Sequence, residues 1–578
     1  MNKKLALKPL AAAIGLALTA PAFAVTIDFS GSNIYMKFLD GNQRVVSTGS
    51  GDTASGSDNG QWTEYELRMK ATISKQVEAG VRIQSRSPAA YWTDFGFADE
   101  TTPTRAKFMK LRGAYVLLTP GYGWLNTALI GSSDWGQFDP FTVGQVRYID
   151  RDNYNGLYFK GSLGAPGLGW EFARVSLPSY LGANWGNRVD ASGGSTADDN
   201  LRFQEGVYIG QVKGNFGPAK LTASYQWFND RQQLADATPL NPYDGTDVET
   251  WAKNRVIMLK GEGSAGPVDL KAAVYRSAWR SPLATFDWGN SPKSDVNGTA
   301  YKLDVGLNSL PVSGLGLNFQ LFNIGAGYYS NLAARRESDV LLTEGSEAAW
   351  YNWGQTIWLG GAAKDYQQAP IARLTDNGYI DFDEAPNEGV NGWKGITALV
   401  NYEVAKIPMS MELTRVDYNY NWQNYSASGP MAGYFGQHND RKTNIAVFKV
   451  GYVAPVLGGL ELSAKYKLVD DSNRGQISLP TDDRDTKDKG LTLSVGNQLF
   501  SDLYGSVSWG RYSRDITKSG AAINNDKDIL SLRLSYNLAG FETGLLSQWV
   551  KGEGDPGETG ATHDIKQYRM KAFVKAIF

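Results

Sequence analysis

The chain has two histidines, His438 and His563, and no cysteine. Nucleophilic catalysis needs a nucleophile, a base and an orienting acid within reach of one another. Asp564 follows His563, but adjacent residues on an extended chain point to opposite faces. No G-x-S-x-G, H-E-x-x-H or Walker-type run is present. Carboxylate pairs for glycoside cleavage could be drawn from many acidic loop residues, and nothing marks one pair. The residues therefore predict no catalytic centre. Without thiols there is no disulfide, lipid-modified cysteine, thioether-linked haem or thiolate metal site. No cofactor and no metal is expected: the acidic loops offer oxygen ligands, but none matches a calcium-loop spacing.

The side chains that do recur at a chemically useful spacing are bases. Arg68, Lys70, Arg82, Arg86, Lys110 and Arg112 sit at alternate positions of three segments, and Arg569, Lys571 and Lys575 at alternate positions of the last. Ladders of Arg and Lys lining a passage favour anions, and arginine pairs bidentately with carboxylate and phosphate. The whole chain carries 57 Lys+Arg against 59 Asp+Glu, so the bases have been sorted to particular places. The basic excess follows alternation and no nucleic-acid motif accompanies it, so nucleic acid is not an expected partner.

The elements that position these bases are strands. Tyr65, Leu67, Met69, Ala71 and Ile73 are apolar, and Glu66, Arg68, Lys70 and Thr72 lie between them. Such period-2 alternation marks a half-buried strand. It recurs in about 22 segments centred near Tyr35, Met69, Ile83, Gly113, Ala128, Leu157, Ala173, Ile209, Ala223, Leu259, Ala272, Val305, Phe319, Ala398, Met411, Phe448, Ala464, Leu493, Val507, Leu532, Leu545 and Val574. Short connections with turn chemistry alternate with long ones. The short set includes Val77-Glu78-Ala79-Gly80, Pro120-Gly121-Tyr122-Gly123, Gly214 to Pro218, Pro455 to Gly458, Phe500-Ser501-Asp502 and Leu538-Ala539-Gly540. The long set runs over 40–61, 87–105, 131–153, 178–204, 229–253, 278–299, 324–392, 421–441, 471–487, 514–526 and 552–564.

One apolar run, Leu10 to about Ala20, follows Lys3, Lys4 and Lys8 and ends at Ala22-Phe23-Ala24. That is the form of a secretory signal peptide. The expected division is a leader over 1–24 and a single domain over 25–578. No later apolar stretch reaches helical spanning length. An exported chain of many alternating strands, with connections sorted by length, predicts an all-β fold. It is a transmembrane antiparallel up-and-down β-barrel of about 22 strands (20–24), closed because hydrocarbon tolerates no unpaired strand edge. Strand one starts close to Val25, so no plug domain is expected.

The last strand sets Tyr568, Met570, Ala572, Val574, Ala576 and Phe578 on one face and ends in an aromatic residue. In this the sequence resembles bacterial outer-membrane β-barrel proteins of the porin kind. The resemblance implies a Gram-negative outer-membrane location and contact with membrane lipid and lipopolysaccharide. It also implies a barrel-assembly machinery that reads Tyr568, Met570, Val574 and Phe578. Leu111-Arg112-Gly113-Ala114-Tyr115-Val116, followed by Asn155-Gly156-Leu157-Tyr158, resembles segments of the alginate-export and related porins. It departs from them in the glycine-rich stretch between and in strand number.

With the more apolar face outward, inward bases outnumber inward acids by about two to one, counting the nine above with Lys160, Lys271, Lys302, Lys449, Lys465, Lys467 and Arg533. The acids so placed are Glu64, Glu66, Asp269, Asp304, Glu403, Glu412, Glu461 and Glu542. Closure predicts one strongly positive wall. Mutual pairing, such as Glu64 and Glu66 with Arg82 and Arg86, is the alternative. The 324–392 connection is the longest and carries Trp350, Tyr351, Trp353, Trp358, Tyr366 and Tyr379. It is expected either to fold inward as a constriction or to cap the barrel. The functional expectation is a channel for small solutes that favours anions or acidic oligosaccharides. A sheath around a lumenal partner protein, such as a multihaem cytochrome or an exported chain, and a loop-based glycan receptor are the alternatives.

Overall fold

The structure, a computed structural model, describes residues 28–48, 54–88, 109–133, 135–143, 154–177, 205–229, 232–233, 249–250, 253–280, 286–287, 292–293, 295–307, 310–325, 327–328, 330, 341–343, 392–418, 440–474, 484–518, 521–538, 540–554 and 562–577. The leader expected over 1–24 and the terminal Phe578 lie outside them.

Twenty-six strands follow one another, and 22 of them form one sheet. They are β1 (Asn33–Thr48), β2 (Ala54–Ser74), β3 (Val77–Pro88), β4 (Met109–Leu118), β5 (Thr127–Ser133), β6 (Tyr154–Ser162), β7 (Leu168–Leu177), β8 (Glu205–Phe216), β9 (Ala219–Asn229), the two-residue β10 (Gln232–Gln233) and β11 (Glu249–Thr250), β12 (Lys253–Ala265) and β13 (Val268–Arg280). There follow the two-residue β14 (Phe286–Asp287) and β15 (Pro292–Lys293), β16 (Asp295–Leu307), β17 (Leu315–Ile324), β18 (Trp393–Val404), β19 (Ile407–Tyr418), β20 (Asp440–Ala454), β21 (Leu460–Arg474), β22 (Arg484–Phe500), β23 (Leu503–Lys518), β24 (Ala521–Leu538), β25 (Phe541–Gly554) and β26 (Thr562–Ile577). The short pairs β10–β11 and β14–β15 form separate hairpins.

Each barrel strand pairs antiparallel with its neighbours in chain order, β9 meets β12, and β13 meets β16. β1 pairs with both β2 and β26, from Asn33 opposite Ile577 to Thr48 opposite Thr562. The sheet therefore has no edge, and the ladder satisfies the backbone groups that lipid cannot. All 22 segments expected from alternation fall within these strands.

The exterior explains the alternation. Met69, Val116, Val212, Leu259, Val274, Phe319, Leu413, Phe448, Leu493 and Leu530 are exposed outward. Exposed aromatics gather at the short-turn end, at Tyr122, Trp124, Phe216, Phe500 and Phe541, and recur toward the other end at Tyr225, Tyr301, Trp509 and Trp549. An apolar band flanked by aromatic girdles on a closed barrel is the exterior of an outer-membrane β-barrel. Turns at the narrow connections are tight: Ala405 and Lys406 both take positive φ, 49° and 65°, as a two-residue hairpin with the right twist demands.

Three expectations need correction. The turn placed at 77–80 lies at Lys75–Gln76, with β3 already begun at Val77. Gly80 is there for room, since a Cβ on it would meet the Tyr115 ring at 2.2 Å. The connections expected over 40–61 and 514–526 are largely strand, described up to Thr48 and from Ala54, and up to Lys518 and from Ala521; those over 471–487 and 552–564 are strand at both ends, up to Arg474 and from Arg484, and up to Gly554 and from Thr562. His563 consequently lies in β26, opposite Gly554 and Ser47, and not in a loop. These stretches show no apolar alternation because both their faces stand clear of hydrocarbon. Their pairing persists through the backbone ladder and cross-strand charges such as Lys489 with Asp515, 3.4 Å apart. The result is an uneven rim: β2, β22 and β24 have 21, 17 and 18 residues, whereas β5 and β6 have 7 and 9.

Where the wall is short it is also tight. Gly131 in β5 has φ +122°, and a Cβ there would lie 2.0 Å from the Ala114 carbonyl oxygen of β4. Gly131→Ala should destabilise the folded barrel by about 1–3 kcal/mol, read as a lower urea midpoint of the refolded protein; an unchanged midpoint would contradict the packing described.

Candidate pore constriction

The inward face holds two kinds of surface, and they lie opposite each other. Over β12 to β19 it is apolar and covered. Val256, Met258, Ala273, Tyr275, Ala300, Phe322, Ile324, Trp393 and Val416 form one buried cluster with Phe141, Tyr328 and Leu341. The last three come from connections: Phe141 follows β5, while Tyr328 and Leu341 lie between β17 and β18. Two pieces of chain thus fold into the barrel and pack on one side of its wall.

The first piece, Trp135 to Val143, leaves the top of β5 and lies along the inside of β6 and then β12 to β16. Trp135 is fully buried in a left-handed backbone conformation, φ 56°. Its ring occupies the space above Gly156, where a Cβ would meet it at 2.8 Å. Phe138 packs edge-on against Tyr158 of β6, with centroids 6.3 Å apart, and Phe141 stacks on Tyr275 of β13 at 5.0 Å. Burying each large aromatic contributes about 1.5–3 kcal/mol.

Asp139 fixes the piece in place. One carboxylate oxygen accepts from the Tyr275 hydroxyl and from the Phe141 N–H, each at 3.0 Å. The other lies 3.6 Å from Lys260 Nζ, which also binds Glu262 at 2.7 Å. The second piece clamps the first. Tyr328 donates its hydroxyl to the Phe141 carbonyl at 2.8 Å, and Ser330 donates to the Thr142 carbonyl at 2.7 Å. Burial, and secondarily the nearby Asp139 charge, push the Tyr328 phenol well above its ordinary pKa, so it stays a donor. Further along, Leu342 donates its N–H to Gln320 of β17 at 2.7 Å, and Thr343 donates to Glu412 of β19 at 3.0 Å.

This side of the lumen is charge-matched. Lys213 pairs with Glu171 at 2.9 Å, Lys220 with Glu262 at 3.6 Å and Lys302 with Asp304 at 3.5 Å. The opposite side, β26 with β1 to β3, carries the bases singled out in the sequence. Arg68, Lys70, Arg82, Lys571 and Lys575 face inward here: Arg68 pairs across from Arg82, and Lys575 from Tyr35. Glu66 binds both Arg68 and Arg82, so one acid serves two guanidinium groups. Lys70 reaches Glu78 at 3.0 Å, and Lys575 reaches Glu542 at 4.0 Å. Lys571 is buried, its Nζ 6.0 Å from the Phe573 ring centre. Arg533 of β24 faces inward, exposed, with no salt bridge among the described residues.

The expected pairing alternative therefore operates through Glu66. The side chains of Glu64, Arg86, Lys110, Arg112 and Arg569 lie outside the described residues. A bulge in β4 changes the register between Leu111 and Gly113, so Lys110 falls opposite Gln84 and Arg112 is the extra residue. Strict alternation over 110–112 is thus broken. The aromatics expected to stack in the long connection, Trp350 to Tyr379, and His438 also lie outside the described residues. Sequence reading looked for the constriction only in the long connection after β17 and missed the one after β5. The signal was present in Trp135, Phe138, Phe141 and Val143, apolar at close spacing inside a nominal outer loop.

No family model matches the chain, and no curated protein does. Solved structures resemble it over nearly its whole length at low identity. OccAB4 of Acinetobacter baumannii is 11% identical, with 95% of this chain and 99% of that one covered and a TM-score of 0.36. OpdL of Pseudomonas aeruginosa is 11% identical, with coverage of 94% and 99% and a TM-score of 0.33. The siderophore receptor PirA of Pseudomonas aeruginosa is 8% identical, with coverage of 95% and 80% and a TM-score of 0.36. Likeness this distant decides neither cargo nor mechanism.

Asp139→Ala removes the acceptor shared by Tyr275, Phe141 and Lys260. Charge-assisted hydrogen bonds are worth about 1.5–3 kcal/mol each, so the inward piece should loosen and single-channel conductance in a planar bilayer should rise. Conductance and its noise identical to the parent would show that this piece does not border the open path.

Proposed function

We propose that the chain is an outer-membrane channel whose water-filled path is off-centre, bounded on one side by the inward-folded pieces and on the other by the basic arc. The observation that supports it most directly is the opposition of the two surfaces. Bases on β8 to β16 are matched by acids beside them; across the lumen Lys70 and Lys575 also reach an acid, while Arg68 shares Glu66 with Arg82 and the exposed Arg533 has no ion-pair partner among the described residues. A low-dielectric wall focuses such a field and concentrates anions near it. A barrel of 22 strands has a wide interior; among the described residues the two pieces narrow it on one side, and Arg68 and Arg533 stay exposed on the other. The favoured solutes are accordingly anionic small molecules or acidic oligosaccharides, whose carboxylates suit the fork of arginine.

A sheath around a second protein needs an open interior, and Trp135–Val143 with Tyr328 and Leu341 occupies part of that volume. The channel reading is therefore preferred. The same reading keeps the assembly role proposed for Tyr568, Met570 and Val574, which share the outward face of β26.

The test is the reversal potential of the reconstituted barrel across a KCl gradient. The parent should favour chloride, and the combined change R68Q/R82Q/R533Q should lower the anion-to-cation permeability ratio severalfold. An unchanged ratio would remove the anion preference, and absence of discrete conductance would remove the channel.

A further inference from the structure

The tall wall formed by β20 to β26 carries charged residues on its outer face, above the apolar band. Most are matched across strands. Asp470 lies opposite Lys487, Arg511 opposite Asp528, and Lys489 reaches Asp515 at 3.4 Å. The pattern fails at β25–β26. Lys551 has Asp528 opposite it on β24 but Lys566 opposite it on β26, and Lys566 stands between Lys551 and Arg44 of β1 with no acid directly opposite. Like charges directly opposite on a sheet are destabilising. Both lysine side chains are exposed, and neither forms a salt bridge with another described residue. One register step toward the rim, Asp526, Glu553 and Asp564 stand in a row across β24, β25 and β26.

The row beneath the lysines says what they face. Trp549 and Tyr568 lie opposite each other with ring centroids 5.7 Å apart. Counted from the short-turn end, they fall where a strand of about 9–11 residues leaves the hydrocarbon. Below them Leu545 and Val574 continue the outward apolar face. The outer surface of β24 to β26 thus reads, from the bilayer outward, apolar, aromatic, basic, acidic. An amphiphile that fits this order has acyl chains on the apolar band, sugar rings on the aromatic pair and an anion level with Lys551 and Lys566. The acidic row above repels that anion and holds it at the lysine level.

We propose that the outer face of β25–β26 is a binding site for a phosphorylated glycolipid of the outer leaflet, with a phosphate held between Lys551 and Lys566 and its sugar on Trp549 and Tyr568. The anion removes the repulsion built into the lysine pair, so lipid binding and sheet pairing at the closing strands support each other. The proposal needs the membrane placement of the barrel but not its selectivity.

The experiment uses the full-length purified barrel, delipidated in a zwitterionic detergent and titrated with bisphosphorylated lipid A, bound lipid being counted by native mass spectrometry. Dephosphorylated lipid A is the matched probe. K551Q/K566Q is compared with K75Q/K406Q, which removes the same charge at the short-turn end; heat-modifiable gel mobility establishes that each is folded. Removing two lysines near an anionic headgroup, K551Q/K566Q should weaken retention roughly thirtyfold, with K75Q/K406Q like the parent. The parent should also retain the phosphorylated lipid over the dephosphorylated one. Equal retention of the two lipids by the parent, or equal retention by the two double variants, would overturn the site.

Discussion

Every feature of this molecule depends on one constraint: a backbone amide in hydrocarbon must find a partner within the protein. A strand cannot satisfy itself, so 22 of them pair in a ring, and the ring closes by joining β26 to β1 over 16 residues of each strand. Closure fixes the face of each side chain, because alternate residues then look either at lipid or into the lumen. It also brings the bases of the last strand, far away in sequence, to the same wall as those of the second and third, with only β1 between. The electrostatics of the lumen follow from the closure of the sheet.

The same constraint explains how the interior is furnished. A ring this wide leaves space that strands alone do not fill. The chain fills part of it with its own connections, which pack by the ordinary rules of a soluble core: Phe141 on Tyr275, Tyr328 on the Phe141 carbonyl, Asp139 as a shared acceptor. The barrel is therefore apolar outside, as lipid requires. Inside it has a second, one-sided apolar core, which is why Val256, Met258 and Tyr275 are buried while facing the lumen.

That inner core marks the boundary of what the sequence makes legible. Strands in lipid announce themselves by period 2, since one face must be apolar and the other need not be, and all 22 could be placed from that alone. Facing followed for β2, β3 and β26, where Tyr65 to Ile73 and Tyr568 to Val574 are unambiguous. Where both faces leave the hydrocarbon the signal disappears, and the upper halves of β1, β2 and β21 to β26 read as loops. On β12 and β13 both faces are apolar, lipid outside and inner core inside, so burial could not be told from exposure by pattern. The constriction after β5 was hidden because its partners are distant in sequence: Asp139 meets Tyr275 across 136 residues and Tyr328 meets Phe141 across 187. The bulge at Arg112 had no signal of its own, because alternation around it is intact on either side.

The central claim is an interior divided into a covered side and an open, basic side. The chain has no cysteine, so single thiols can report that division directly. Arg533→Cys on the open side and Ala300→Cys beneath the inward pieces, in otherwise identical reconstituted barrels, would each be treated with a bulky anionic, membrane-impermeant thiol reagent while current is recorded. The account predicts rapid modification and stepwise loss of current at position 533 and protection at position 300, which is fully buried. Rapid reaction at 300 with position 533 inert would contradict it.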